Sequence, residues 1–367
     1  MLGACLLLTA AEGPPPSAPG QATNASAGAS LMVTPPPGAQ DQPTSTEISA
    51  ALPGGRISAV TLTGAAGNPV PGALRSDGTA WVPAQPLTRQ TTYHATVTTV
   101  DAEGIPSTAT TNFTTMSKSG AAPIVTTLEL KAGGVYGVGM PIPLTFSAPI
   151  PNGTKADVER RLSVKSDPPQ TGAWRWFGDQ QVIYRPKDHW KPGTKLTVST
   201  KLGGLPVAGG QLDTDRNVAA TIGNKTTFQI TNASKQMQVF QNDKLVKTLP
   251  VSLGKPETPT SSGNMVIMSR EPQALWVYGP GDQIDVRHAE RLTGDGEYIH
   301  GAPWSVADQG RTNVSHGCTN LSPENAEWVH NNSQIGDPVT VTGTEKRLDP
   351  GNGWTVWDMS WTDFIKK

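Results

Sequence analysis

Apolar and polar positions alternate with period two over most of this chain, and stretches at helical period are few. Tyr93-His94-Ala95-Thr96-Val97 and Leu196-Thr197-Val198 each send every second side chain to one face, as strands buried on one side do. The two belong to an internal repeat. Trp81-Val82-Pro83, Leu87, Thr91 and Tyr93 match Tyr184-Arg185-Pro186, Trp190, Thr194 and Leu196 at one fixed offset. Upstream, Gly72-Ala73-Leu74 and Gly172-Ala173-Trp174 lead into turns at Asp77-Gly78 and Gly178-Asp179. A period of about 100 residues is the size of an immunoglobulin-like sandwich. Residues 47–117 and 118–229 are therefore expected to form two such domains, neither with the paired cysteines of antibody domains. A short helix is expected over Lys155 to Leu162, with Thr154 as its N-cap.

A third unit is expected over 230–345. Gln236–Phe240 and Leu245–Leu249 read as a hairpin through Asn242-Asp243, and Gly263–Met268 as a further strand. Ser322-Pro323-Glu324 is a helix start, with an N-cap serine, proline at the first helical position and an acid in the first turn. That helix should run to about Asn331, and Val339-Thr340-Val341 makes a late strand. Residues 346–367 hold Trp354, Trp357 and Trp361. So much aromatic surface should dock on a domain.

Composition sharpens this picture at the ends. From Glu12 to Thr46 the chain is Pro, Ala, Gly, Ser and Thr with hardly a bulky residue, so 1–46 reads as a leader plus a disordered tether. Met1–Leu8 is apolar but too short to span a bilayer. Leu2-Gly3-Ala4-Cys5 resembles the lipobox of bacterial lipoproteins, whose cysteine is acylated; a remnant of a longer signal is the other reading, and both imply export. With 39 Gly and 33 Pro against 6% aromatics, the class is all-β with short helices and many turns. A net charge of −1 leaves no nucleic-acid footprint.

Chemistry concentrates in the last third. Apart from Cys5, Cys318 is the one cysteine, framed as Ser315-His316-Gly317-Cys318-Thr319-Asn320, with His300 upstream in Ile299-His300-Gly301-Ala302-Pro303-Trp304. A structural cysteine sits in an apolar run, whereas polar neighbours suit a nucleophile. Its free pKa of about 8.5 leaves little thiolate at neutral pH, so a base is needed. His316 is a neighbour on the same segment and approaches awkwardly. His300 arrives from a separate segment and is the better base, forming a thiolate–imidazolium pair and later protonating a leaving amine. No carboxylate follows His300 closely, so the Gly301 carbonyl is the candidate to orient its ring. Backbone N–H groups around Gly317-Cys318 are candidates for an oxyanion site.

His300 followed by Ser315-His316-Gly317-Cys318-Thr319-Asn320 resembles the signature of the L,D-transpeptidase (YkuD) catalytic domain. The preceding sandwiches and the Trp-rich tail are similar to the mycobacterial members. The resemblance implies a YkuD-type β-sandwich catalytic domain, no cofactor and no metal. It implies Cys318 as the nucleophile on a peptidoglycan tetrapeptide stem, His300 as base and acid, and Gly301 as its orienter. His316, Gly317 and the Cys318 N–H would line the oxyanion site, while Ser315 and Asn320 hold the loop. Partners would be donor and acceptor stems, joined by a 3→3 cross-link, with carbapenems as acylating inhibitors. A lid is implied over Leu275 to Glu297, with Gly279, Gly281, Gly294 and Gly296 as pliant points. Substrate contacts are implied at Trp276, Tyr278, Asp295, Gly296 and Trp304. The lid departs from the family pattern: it is shorter, an aromatic of its second half is replaced near Asp282, and a small polar residue is replaced by Asp295.

Three other readings compete. His300, His316 and Cys318 are N and S donors of the kind that hold zinc, though a fourth ligand is missing. The chain could be a wall-binding spacer with a dead site, or the acceptor could be water, giving an L,D-carboxypeptidase. His94, His189, His288 and His330 are scattered and need no function.

Overall fold

The computed structural model describes residues 31–51, 53–75, 77–117, 122–207, 210–279 and 282–366. Cys5, Gly281 and the side chain of Tyr278 lie outside the described residues.

In the first sandwich, strands Met32–Thr34, Ile48–Ala51, Ala80–Pro83 and Gly72–Leu74 form one sheet. Ala39–Gln42, Pro106–Thr115, Thr92–Val100 and Arg56–Thr63 form the other. Alternate residues Tyr93, Ala95 and Val97 point into a core shared with Ile48, Trp81 and Phe113. Described strands thus begin at Met32, ahead of the expected start of the first sandwich at residue 47. Met32–Thr34 pairs with Ser49–Ala51, and the Pro35 carbonyl accepts from Thr111 Oγ1 at 2.6 Å, so pairing across the sandwich orders a segment with little apolar content of its own.

The second sandwich repeats the plan. Gly172–Phe177, Gln181–Pro186, Ile142–Phe146 and Thr126–Leu128 face Val135–Tyr136, Arg216–Ile222, Lys195–Thr200 and Leu162–Asp167. Equivalent registers show the repeat directly: Gly72 pairs with Pro83 and Leu74 with Trp81, as Gly172 pairs with Pro186 and Trp174 with Tyr184. Both glycines are there for one reason. A Cβ at Gly72 would overlap the Trp81 ring, and one at Gly172 the Tyr184 ring. The helix α1 spans Asn152–Glu159 with Pro151 at its N-cap and no side-chain cap, so it starts ahead of the expected Thr154.

Strands of the third unit are numbered from its start: β1 Thr226–Thr231, β2 Gln236–Gln241, β3 Lys244–Pro250, β4 Ser261–Val266, β5 Ser269–Gly279, β6 Asp282–Arg291, β7 Tyr298–Gly301, β8 Thr319–Leu321, β9 Pro338–Thr342 and β10 Lys346–Arg347. A boundary at 229/230 would cut β1, which pairs with both β2 and β9; likewise β10 pairs with β4 and extends the unit past 345. One sheet has the order β3-β2-β1-β9-β4-β10 and the other β5-β6-β7-β8. Phe228, Ile230, Met237, Val239, Ile299 and Leu321 fill the space between them. Helix α2, Pro323–Asn332, is capped as expected, Ser322 Oγ accepting from the Asn325 N–H at 3.2 Å. Its Ala326 and Val329 join that core, and His330 Nδ1 meets the fully buried Glu290 Oε1 at 2.6 Å, tying the helix to β6. Burial pushes the Glu290 carboxyl up to about 7.

The C-terminal segment wedges between the second sandwich and the third unit. A 3-10 turn over Thr355–Asp358 and helix α3, Trp361–Phe364, bury Trp354, Val356 and Phe364 in the second sandwich's core cluster, which also takes in Val266 of β4. Trp357 Nε1 donates to the Gly139 carbonyl at 2.6 Å, while Asp358 Oδ1 accepts from the Asn264 N–H of β4 at 2.8 Å. Arg185 is 3% exposed, lies within 4.7 Å of the Trp357 and Phe364 ring centres, and donates to the Met359 carbonyl at 2.9 Å. The tail therefore docks through packing and a buried cation. No helix among the described residues is long and apolar enough to cross a membrane.

Replacing Arg185 with Ala should remove that cation from between the rings and leave the Met359 carbonyl unpaired. The expected cost is about 2–4 kcal/mol, read as a lower thermal midpoint and faster proteolysis within 354–366.

Candidate active site

The site grows from a short parallel ladder. β7 and β8 pair with Ile299 opposite Thr319, His300 opposite Asn320 and Gly301 opposite Leu321. Ile299 and Leu321 point into the core, so Tyr298 and His300 occupy the opposite face of β7, where both rings meet Trp276. Continuing the register back one residue sets Cys318 level with Tyr298, two positions from His300 on the neighbouring strand. The Tyr298 N–H is hydrogen-bonded to the sulfur, and Sγ lies 3.9 Å from the Gly296 carbonyl.

His300 is 3% exposed. Its Nδ1 is 2.9 Å from the Gly301 carbonyl. A carbonyl only accepts, so Nδ1 carries the proton and Nε2 keeps its lone pair. Three aromatic side chains enclose the imidazole. Trp276 of β5 meets it edge-on with centroids 5.0 Å apart, Tyr298 packs on Trp276 at 4.7 Å, and Trp304, 55% exposed, lies at 6.1 Å. Desolvation pushes the His300 imidazolium down to about 4. Cys318 retains some exposed surface, yet desolvation around the sulfur, against the Tyr298 N–H and reinforced by Glu297 and Asp295, pushes its thiol up to about 12. Burial therefore disfavours both the imidazolium and the thiolate. This runs against the expected thiolate–imidazolium pair, because the enclosed site penalises both charges.

The loop before β8 is built on Ser315. Its N–H donates to the Leu253 carbonyl at 3.0 Å, and its carbonyl accepts from the Lys255 N–H at 2.9 Å. Its Oγ donates to the Cys318 carbonyl at 2.6 Å and accepts from the Gly317 N–H at 3.1 Å. Gly317 has φ of +126°, a conformation that favours glycine. Since the Gly317 N–H is spent on Ser315, it is not free for an oxyanion; the Cys318 N–H has no backbone acceptor among the described residues. Asn320 braces the crossover by donating from Nδ2 to Ser305 Oγ at 3.1 Å. His316 is exposed. Among the described residues no group of three or more His, Cys, Asp or Glu side chains is placed to hold a metal ion.

β5 and β6 form a hairpin that overlaps the segment expected as a lid, and Trp276 meets the His300 ring edge-on. The turn after it carries several side-chain hydrogen bonds. The Asp295 N–H donates to Asn352 Oδ1 at 2.9 Å, the Glu297 N–H to Thr293 Oγ1 at 2.9 Å, and Arg291 Nε to the Thr293 carbonyl at 2.9 Å. That ties down both Gly294 and Gly296. Two neighbours of the site escaped the sequence reading. Tyr298 was readable from its two-residue spacing to His300. Lys346, bonded to Glu297, had no local signal.

This arrangement is that of an acyl-transfer domain carried on bacterial immunoglobulin-like modules. Family models agree. The bacterial Ig domain matches residues 39–206, and the L,D-transpeptidase catalytic domain (YkuD) matches 226–341. L,D-transpeptidase 2 of Mycobacterium tuberculosis (strain CDC 1551 / Oshkosh) is 33% identical over 321 residues, 84% of this chain and 77% of that protein. L,D-transpeptidase 5 of M. tuberculosis H37Rv is 31% identical over 333 residues, 87% and 72% of the two chains. Among solved structures, the LD transpeptidase LdtMt1 in complex with imipenem is similar with a TM-score of 0.51 and 29% identity, covering 60% of this chain and 100% of that one. The chain belongs to the L,D-transpeptidase family.

A thiol raised to about 12 sets a pH signature for the free protein. Below that value each pH unit multiplies the thiolate fraction by about ten. Alkylation of Cys318 by iodoacetamide should climb steadily from pH 7 to pH 10, where a free cysteine control levels off.

Proposed function

We propose that this protein forms 3→3 cross-links between peptidoglycan stems through a thioester on Cys318. The observation that carries the reading is the pairing of the His300 strand with the segment entering from Cys318, with Nδ1 of His300 bound to the Gly301 carbonyl so that Nε2 is the free base. Because burial disfavours both charged forms, the proton leaves sulfur for Nε2 as the C–S bond forms, and no standing ion pair is needed.

Cys318 attacks the carbonyl between the third and fourth residues of a tetrapeptide stem. The tetrahedral oxyanion takes the Cys318 N–H. His300 then gives its new proton to the departing amine of the terminal D-alanine, leaving the thioester. The side-chain amine of a diaminopimelate in a second stem attacks that thioester, its proton passes to Nε2, and the thiol is restored as the amide forms. Trp276 and Trp304 shield the reaction from water, which favours an amine acceptor over hydrolysis. The two sandwiches and the docked tail act as a pedestal that presents the exported catalytic unit to the wall polymer.

Intact-protein mass spectrometry tests the reading. A carbapenem should add its mass to the protein, and a tetrapeptide stem should add its tripeptide acyl group. Cys318→Ala should add neither. His300→Ala should slow acylation on the order of 10³-fold or more. Adducts on Cys318→Ala would end the mechanism, no adduct on the unaltered protein would favour a wall-binding role, and release of free tripeptide despite an added acceptor would favour the carboxypeptidase.

A further inference from the structure

The turn Leu292–Glu297 carries the chain from β6 into β7 and wraps the nucleophile, its Gly296 carbonyl lying 3.9 Å from Sγ. The residues flanking that glycine are both acids. Glu297 is 6% exposed and lies so close to Gly317 that a Cβ there would come within 3.7 Å of its Cγ. Its carboxylate accepts from the Ser261 N–H at 3.0 Å, Ser261 Oγ at 2.7 Å and Lys346 Nζ at 3.0 Å. Asp295 is half exposed, accepts from Thr293 Oγ1 at 2.6 Å, and lies 3.7 Å from the same Lys346 Nζ. Burial pushes the Asp295 carboxyl up, but the Thr293 hydroxyl, Asn352 and Lys346 outweigh it and hold it below its ordinary value. Desolvation opposes the Lys346 charge, and Glu297 and Asp295 more than restore it.

Two negative charges on the turn beside the sulfur therefore meet one positive charge from β10, with Glu297 the buried member of the three. None of the three bonds to Sγ, so each acts through space. The other ionisable groups around the sulfur are Tyr298 and His300 on β7 and His316 on its own loop, with Glu271 and Arg291 further out, facing the Tyr298 phenol.

We propose that Asp295 and Lys346 are opposed positioning residues for the nucleophile: Asp295 holds the Cys318 proton on, and Lys346, by neutralising Glu297 and Asp295, lets it go. The proposal rests on the reading of Cys318 as the nucleophile and adds the device that sets its readiness. A thiol kept protonated is also a poor target for oxidants, because the thiolate is the reactive form. The balance of these charges thus trades acylation speed against survival of the site's one sulfur.

The test reads iodoacetamide alkylation of Cys318 in the full chain between pH 7 and pH 10 by mass spectrometry of the peptide that carries it, separate from that of Cys5. Asp295→Asn should shift the log-rate line to lower pH, with alkylation at pH 8 faster on the order of three- to tenfold. Lys346→Met should shift it the other way, and Lys346→Arg should stay with the unaltered protein. Both single changes break the same ion pair. A bridge that only braces the turn would shift the two variants in one direction, whereas a field shifts them oppositely. Shifts of the same sign, or no shift, overturn the proposal. If Lys346→Met fails to fold because Glu297 is left unpaired, Asp295→Asn decides alone: an unchanged or slower rate overturns it. Alkylation needs no stem or carbapenem, so a negative result here is separable from failure of the transpeptidase reading.

Discussion

Parallel pairing of β7 with β8 is the constraint on which this site depends. Three residue pairs decide that His300 and Cys318 stand on neighbouring strands, two register positions apart. Parallel strands cannot be joined by a tight turn, so the chain must cross over between them. The crossover, residues 302–318, carries Trp304 at one end and Ser315 to Cys318 at the other. Trp304 and Cys318 thus come from one connection, and His300 from the strand that feeds it. A slip of a single residue would send His300 into the core and Ile299 into the site.

Burial gives this site its chemical character. The core side of the ladder is filled by Ile299 and Leu321, and the other side is covered by Trp276 reaching from the long hairpin. Enclosed in this way, neither the imidazolium nor the thiolate is favoured. The Gly301 carbonyl orients the histidine without adding a full charge, which suits a base that must accept a proton only during attack. Charge enters instead from the side, through Asp295 and Glu297 on the turn and Lys346 of β10.

The pedestal is continuous with the catalytic unit. Gly137 and Gly139 of the second sandwich donate to the carbonyls of Ile335 and Gly336 at 2.8 and 2.9 Å, an approach too close for a side chain at Gly137. The tail then locks the joint, with Trp357 on one side and Asp358 on the other. Such a junction transmits position and leaves little freedom for the catalytic unit to swing on its support.

Local pattern made much of this molecule readable. Alternation marked the strands, an offset from 81 to 184 marked the repeated sandwich, Ser322-Pro323-Glu324 marked α2, and His300 with Ser315 to Cys318 marked the site, because each depends on neighbours in sequence. Other features answer to distant partners. Met32–Thr34 is a strand only because residues 49–51 lie beside it, and Pro151 begins α1 ahead of the expected cap. Lys346 reaches Glu297 through the pairing of β10 with β4. The order of residues alone determined which atoms are the candidates for the chemistry: one sulfur, one imidazole and one carbonyl. Only the folded arrangement decided their protonation and the charges around them, since desolvation and Coulomb fields are set by distance in space.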